Sequence, residues 1–222
     1  MKKEAVQITK SVAPPVATPA YWAEACAHLM KKDRVMRKLI PQFGDACLQS
    51  RGEAFITLAR SVVGQQISVQ AAQTIWDRFA ILAKPKLTPA KVLKLKVDDM
   101  RACGLSARKI EYLVDLALHF DSGALSVKQW DGMDDEAIIT ELVAIRGIGR
   151  WTAEMFLIFH LMRPNVLPLD DIGMLRGISE NYFSGESVSR SEAKEVAANW
   201  TPYRSVATWY LWRSLDPLPV AY

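Results

Sequence analysis

Asp170 and Asp171 stand side by side in Val166-Leu-Pro-Leu-Asp-Asp-Ile-Gly-Met-Leu-Arg-Gly177. Pro168 starts a turn and a helix follows, so two carboxylates lead that helix. An aspartate there caps free backbone N–H groups and stays ionised beside the helix end, a fixed anion. Upstream lies Leu142-Val-Ala-Ile-Arg-Gly-Ile-Gly-Arg-Trp-Thr-Ala-Glu-Met155. One helix ends there near Ile145 and the next begins near Arg150 or Trp151. Gly147 and Gly149 flank Ile148 between them, and glycines permit backbone angles and close approaches that a side chain opposes. The N–H groups opening the second helix have no partner within it, which makes an anion site suited to a phosphate. Ile148 can turn back between the two helices and pin the turn. Taken alone, Gly-x-Gly also fits an ordinary αα-hairpin, and an aspartate at a helix start is often no more than a cap.

Other chemistries find little support. Cys26, Cys47 and Cys103 are isolated, with no CxxC spacing, and His28, His119 and His160 make no HxxxH pair. A disulfide scaffold, a zinc site and an iron–sulfur cluster are therefore not expected, and a reducing cytoplasm suits the cysteines. Lys plus Arg is 28 against 24 for Asp plus Glu, a net charge of +4 that allows a polyanionic partner without requiring one. No apolar run reaches the ~18 residues of a membrane span, and Met155–Met162 reads as core helix. Met1-Lys-Lys-Glu with Pro14-Pro15 is not a secretory signal, and residues 1–18 are expected to form a flexible tail.

The elements that must position these groups read as helices. The chain has 222 residues, half of them hydrophobic, enough for one unit with a sizeable core. Ile110, Leu113, Val114, Ala117 and Leu118 recur at helical spacing, with Ser106 as cap after Gly104. Thr88-Pro89 is a cap followed by proline at the first helical position. Ser189 with Glu192 forms a capping box, and Asp134 caps the helix running to Ile145. The expectation is an all-α protein of roughly ten helices.

The full hairpin string with its following aspartate resembles the helix–hairpin–helix DNA glycosylase superfamily. Asp171, Met174 and Arg176 fit that family's Asp-x-x-apolar-x-basic register, which implies that Asp171 is catalytic, with Asp170 the runner-up. The lysine by which strand-cutting relatives attack the sugar is replaced here by Trp151, implying a monofunctional enzyme that uses water. The absence of a cysteine cluster near the C-terminus points away from the iron–sulfur branch. Val63-Gly-Gln-Gln-Ile-Ser68, Cys103-Gly-Leu-Ser-Ala-Arg-Lys109 and Trp200-Thr-Pro-Tyr-Arg-Ser-Val-Ala207, followed by Trp209 and Trp212, are similar to the alkylation-repair 3-methyladenine (AlkA-type) branch. The likeness covers about residues 20 to 215, without the extra N-terminal domain of longer members.

This resemblance implies two helical lobes around a central cleft. Lobe one spans about 51–165; lobe two takes 19–50 plus 166–222, in a single unit of 19–222. It implies a DNA grip by Gly147, Ile148, Gly149, Arg150 and Thr152, with a monovalent cation (Na+ or K+) at the carbonyls of Arg146 and Ile148. Gln66 would be the intercalating wedge, beside Gln65 and the capping Ser68. Trp151, Trp212 and Met155 would line the base pocket, where indole faces attract a cationic methylated purine. Arg146, Arg204, Arg108 and Lys109 are further phosphate candidates, and Tyr203 with Arg204 can instead lock the C-terminal helices. Trp76 and Trp209 read as core. The implied partner is double-stranded DNA carrying a damaged base, bound by a monomer in the cytoplasm, at the nucleoid or in the nucleus. The implied reaction is hydrolytic release of alkylated purines of the 3-methyladenine and 7-methylguanine class. Ethenoadenine or hypoxanthine as lesion, or a non-catalytic DNA-structure-binding module, are the alternatives.

Overall fold

The computed structural model describes residues 18–50 and 52–216, and within them the chain forms twelve α-helices and no strand. They are α1 (Trp22–Lys32), α2 (Arg34–Leu39), α3 (Ala54–Gly64), α4 (Val69–Leu82), α5 (Pro89–Val92) and α6 (Val97–Ala102). Then follow α7 (Ala107–Asp121), α8 (Asp135–Val143), α9 (Arg150–Phe159), α10 (Ile172–Tyr182), α11 (Arg190–Ala198) and α12 (Arg204–Leu215). Short 3-10 turns occupy Ile40–Phe43 and Trp130–Gly132. The expected tail lies, but for Thr18, outside the described residues.

Polar caps start these helices. Ser68, Thr88, Ser106, Asp134 and Ser189 each accept a backbone N–H of the following turn, and Ser189 with Glu192 completes a reciprocal capping box. The helix after Thr88-Pro89 is a single turn, because α5 stops at Val92 before the next start at Val97. This is one reason the count exceeds ten.

Two groups of helices pack among themselves. In the first, α3 lies against α4, α7 and α9, α7 covers α5 and α6, and α8 pairs with α9. The inward face of α7 is Ile110, Leu113, Leu116 and Ala117; Leu118, expected on that stripe, is 50% exposed because it falls past its edge. Helix α9 is buried from Thr152 through Phe159, apolar nearly all round, the signature of a central core helix. In the second group α10 crosses α12, and α1 and α2 return to pack on α12. Asp33 fastens this return: Oδ1 accepts Val35 N and Met36 N, and Oδ2 accepts the Tyr182 hydroxyl at 2.8 Å and Trp200 Nε1 at 3.0 Å. One continuous hydrophobic cluster joins both groups. The chain passes between them at 160–171, where Ser205 N donates to the Pro164 carbonyl and Val166 N to Ser205 Oγ.

Candidate active site

The turn between α8 and α9 is held by side chains that local sequence does not announce. Gly147 has φ +84°, and a Cβ built on it would fall 2.2 Å from the Tyr112 ring, so only glycine fits both the angle and the contact. Arg146 N donates to Asp115 Oδ2 at 2.8 Å, and Gln65 Nε2 donates to the Gly147 carbonyl at 2.9 Å. Ile148 is buried and its N–H donates to the Ile145 carbonyl. Gly149 is the N-cap of α9 and therefore contributes no side-chain acceptor to its opening turn, the positive end of that helix.

Arg150 does not extend freely from this end. It donates to both carboxylate oxygens of Glu136, at 2.9 and 2.5 Å, and to Glu154 Oε1 at 3.0 Å, and Glu136 above all raises its already high pKa. Burial pushes the Glu154 carboxyl above its usual range against the pull of Arg150. These three line a cavity of about 430 Å³ with Asn165, Lys194 and Arg204. None of Asp171, Trp151, Met155 or Trp212 lines it, so this polar cavity is not the predicted base pocket.

Asp171 is the N-cap of α10 and only 4% exposed. Its Oδ1 accepts Met174 N at 2.5 Å and Trp212 Nε1 at 2.7 Å; its Oδ2 accepts Trp151 Nε1 at 2.9 Å. Trp151 comes from the first turn of α9 and Trp212 from α12, so the carboxylate sits where the two groups of helices meet. Asp170 points elsewhere: it is exposed and paired with Arg190. The two indoles meet the aspartate through their N–H edges. Trp212 is buried and stacked on Phe159, with centroids 5.5 Å apart and planes 13° from parallel. Trp151 is half-buried, and Met155 and Thr152 are buried.

The Gly64–Ser68 turn interrupts α3 and α4. Gln66 is exposed at φ +59°, an angle that a side chain disfavours, and Ser68 Oγ caps α4. Gln65 turns inward to the hairpin. Lys109, a phosphate candidate in the sequence, instead donates through Nζ to the Val63 carbonyl at 2.7 Å, and burial lowers its pKa. Arg204 is half-buried with Nε unbonded, and Trp76 is buried while Trp209 is half-buried. Sequence reasoning missed Tyr112, Asp115 and Phe159. Each stands over 30 residues from the group it touches, and no spacing rule reaches so far.

Comparison with known proteins gives the chain a family. The family model described as HhH-GPD superfamily base excision DNA repair protein matches residues 59–202. DNA-3-methyladenine glycosylase 1 of Schizosaccharomyces pombe is 33% identical over 84% of this chain and 85% of its own length. A DNA-3-methyladenine glycosidase structure from Bacillus halodurans superposes with TM-score 0.81 at 33% identity, covering 86% of this chain and 89% of that one. The S. pombe 3-methyladenine DNA glycosylase in complex with abasic DNA gives 0.78 at 31% identity, covering 90% and 99%. YfjP of Bacillus subtilis is also 33% identical, over 72% of this chain, which spans only 58% of that longer protein.

Proposed function

The chain belongs to the HhH-GPD superfamily of base excision DNA repair proteins, and from that membership and the site's geometry we propose that it is a monofunctional DNA glycosylase. Its substrates are alkylated purines of the 3-methyladenine and 7-methylguanine class in double-stranded DNA, released by hydrolysis of the N-glycosidic bond. The observation that carries this reading is one buried carboxylate, Asp171, fixed by Trp151 and Trp212 beside the glycine hairpin.

The mechanism follows from what each group can do. The N–H groups at the start of α9 donate to a DNA phosphate and fix the strand. A monovalent cation would use the carbonyls of Arg146 and Ile148, since Gln65 takes that of Gly147; it would add positive charge next to the phosphate. Gln66 protrudes and fills the space left by an extruded nucleotide. Departure of the base builds positive charge on the deoxyribose, and a fixed anion in a site closed to bulk water stabilises it. Three N–H donors occupy most of the roughly four acceptor positions of the Asp171 carboxylate, which favours electrostatic stabilisation over proton abstraction. A methylated purine is already cationic and leaves readily, so little acid assistance is required.

The test is base release from DNA treated with a methylating agent, wild type beside Asp171→Asn. Wild type releases 3-methyladenine or 7-methylguanine; the variant binds DNA but is slower by at least ~100-fold, the scale for losing one electrostatic group. Comparable single-turnover release by the two proteins would remove Asp171 from the mechanism. Absence of release by wild type would remove the reaction.

A further inference from the structure

The turn that carries Gln66 and the hairpin that faces the phosphate are tied together by two routes. Directly, Gln65 Nε2 donates to the Gly147 carbonyl across 82 residues of sequence. The other route runs through α7. Its first turn sends Lys109 Nζ to the Val63 carbonyl, one of the last carbonyls of α3, which the helix leaves without a partner. Its next turns press Tyr112 on Gly147 and give Asp115 Oδ2 to Arg146 N. A turn with a non-glycine residue at φ +59° needs outside support to persist, and these contacts supply it.

We propose that Gln65 is a positioning residue that, together with Lys109, holds the Gln66 turn at a fixed separation from the DNA-gripping hairpin, so that strand grip and nucleotide extrusion act as one rigid unit. The proposal rests on the glycosylase reading above and deepens it. Extrusion requires one element to hold the backbone while another displaces the base. Slack of an ångström between the two would let the nucleotide fall back into the stack. Gln65 thus acts through Gly147 and Gln66, with its amide nitrogen turned to the protein.

The test uses Gln65→Met, which keeps length and removes the donor, and Lys109→Met, which removes the ammonium from Val63. Each is compared with wild type and Gln66→Ala on a duplex holding a single 7-methylguanine. In one substrate the lesion is paired with cytosine; in the other it faces an abasic gap, where extrusion is already easy. A neighbouring 2-aminopurine reports unstacking. Gln65→Met is expected to bind undamaged duplex like wild type and to lose the 2-aminopurine brightening. It should release the paired lesion about 10-fold more slowly, the effect of one hydrogen bond, and release the gapped lesion at the wild-type rate. It would then phenocopy Gln66→Ala, with Lys109→Met moving in the same direction. Equal slowing on both substrates, or no slowing on the paired one, overturns the proposal. If wild type releases nothing, the glycosylase reading fails. The brace then stands or falls on the 2-aminopurine signal: loss in Gln65→Met supports it, and retention overturns it.

Discussion

Asp171 accepts one backbone and two indole N–H bonds in the interior, while Asp170, one peptide away, is exposed and paired with Arg190. In the sequence only the family resemblance, through the register Asp-x-x-Met-x-Arg, separated these neighbours; in the structure the second is the cap of α10. The residue types at 151 and 212 were equally legible; the way their rings point was not. Nothing in a chain separation of 61 residues (212 minus 151) says whether an indole offers its face or its edge. Trp212→Phe should keep the stacking on Phe159 and lose the bond to Asp171 Oδ1. A hydrogen bond to a charged group is worth about 1.5–3 kcal/mol, so single-turnover base release should fall at least 10-fold, with DNA binding retained. An unchanged rate would show that the remaining donors fix the carboxylate by themselves. At position 151 there is no amine to attack the sugar, so borohydride should trap no covalent complex with lesion DNA. A trapped band would point to another nucleophile.

At the level of elements, starts were easier to read than packing. Ser106, Asp134 and Ser189 cap their helices, because capping is a matter of a few adjacent residues. The two hairpin glycines were likewise visible, but the reason for Gly147, an aromatic ring from α7, was not. Gly177 makes the point more sharply. In sequence it is an unfavourable residue inside a helix. In the structure a Cβ there would lie 2.8 Å from Leu211 Cβ and 3.2 Å from the Leu211 carbonyl oxygen, so its absence sets how closely α10 crosses α12. Both Asp171 and Trp212 ride on these two helices. Gly177→Ala should therefore destabilise the protein by about 1–3 kcal/mol, the range for overpacking a close contact, despite alanine's better helix propensity. Thermal denaturation measures this, and an equal or higher Tm would mean that the crossing relaxes at little cost.

Across the whole molecule, the all-helical architecture was legible from periodicity, and the return of the first helices to the last followed from the resemblance alone. Three phenols lie where these segments meet, Tyr210 buried and Tyr21 and Tyr182 half-buried. Burial pushes Tyr21 up to about 12, and Tyr182 and Tyr210 are raised further, by burial first, with Asp33 adding at Tyr182 and Cys26 at Tyr210. A group whose pKa is raised by folding contributes stability below its unfolded value, and that contribution is lost as pH climbs past it. Resistance to urea should hold across neutral pH and fall as pH rises above 10.0, the ordinary tyrosine value. A flat profile up to about pH 12 would indicate that the phenols ionise in place. The same closure sets an order in time. During synthesis α1 and α2 emerge from the ribosome before Tyr182, Trp200 and α12, which complete their packing. Among the described helices these early ones thus wait longest for burial, and until then the apolar faces of Trp22, Leu29 and Met36 stay uncovered, the segment on which a chaperone would act.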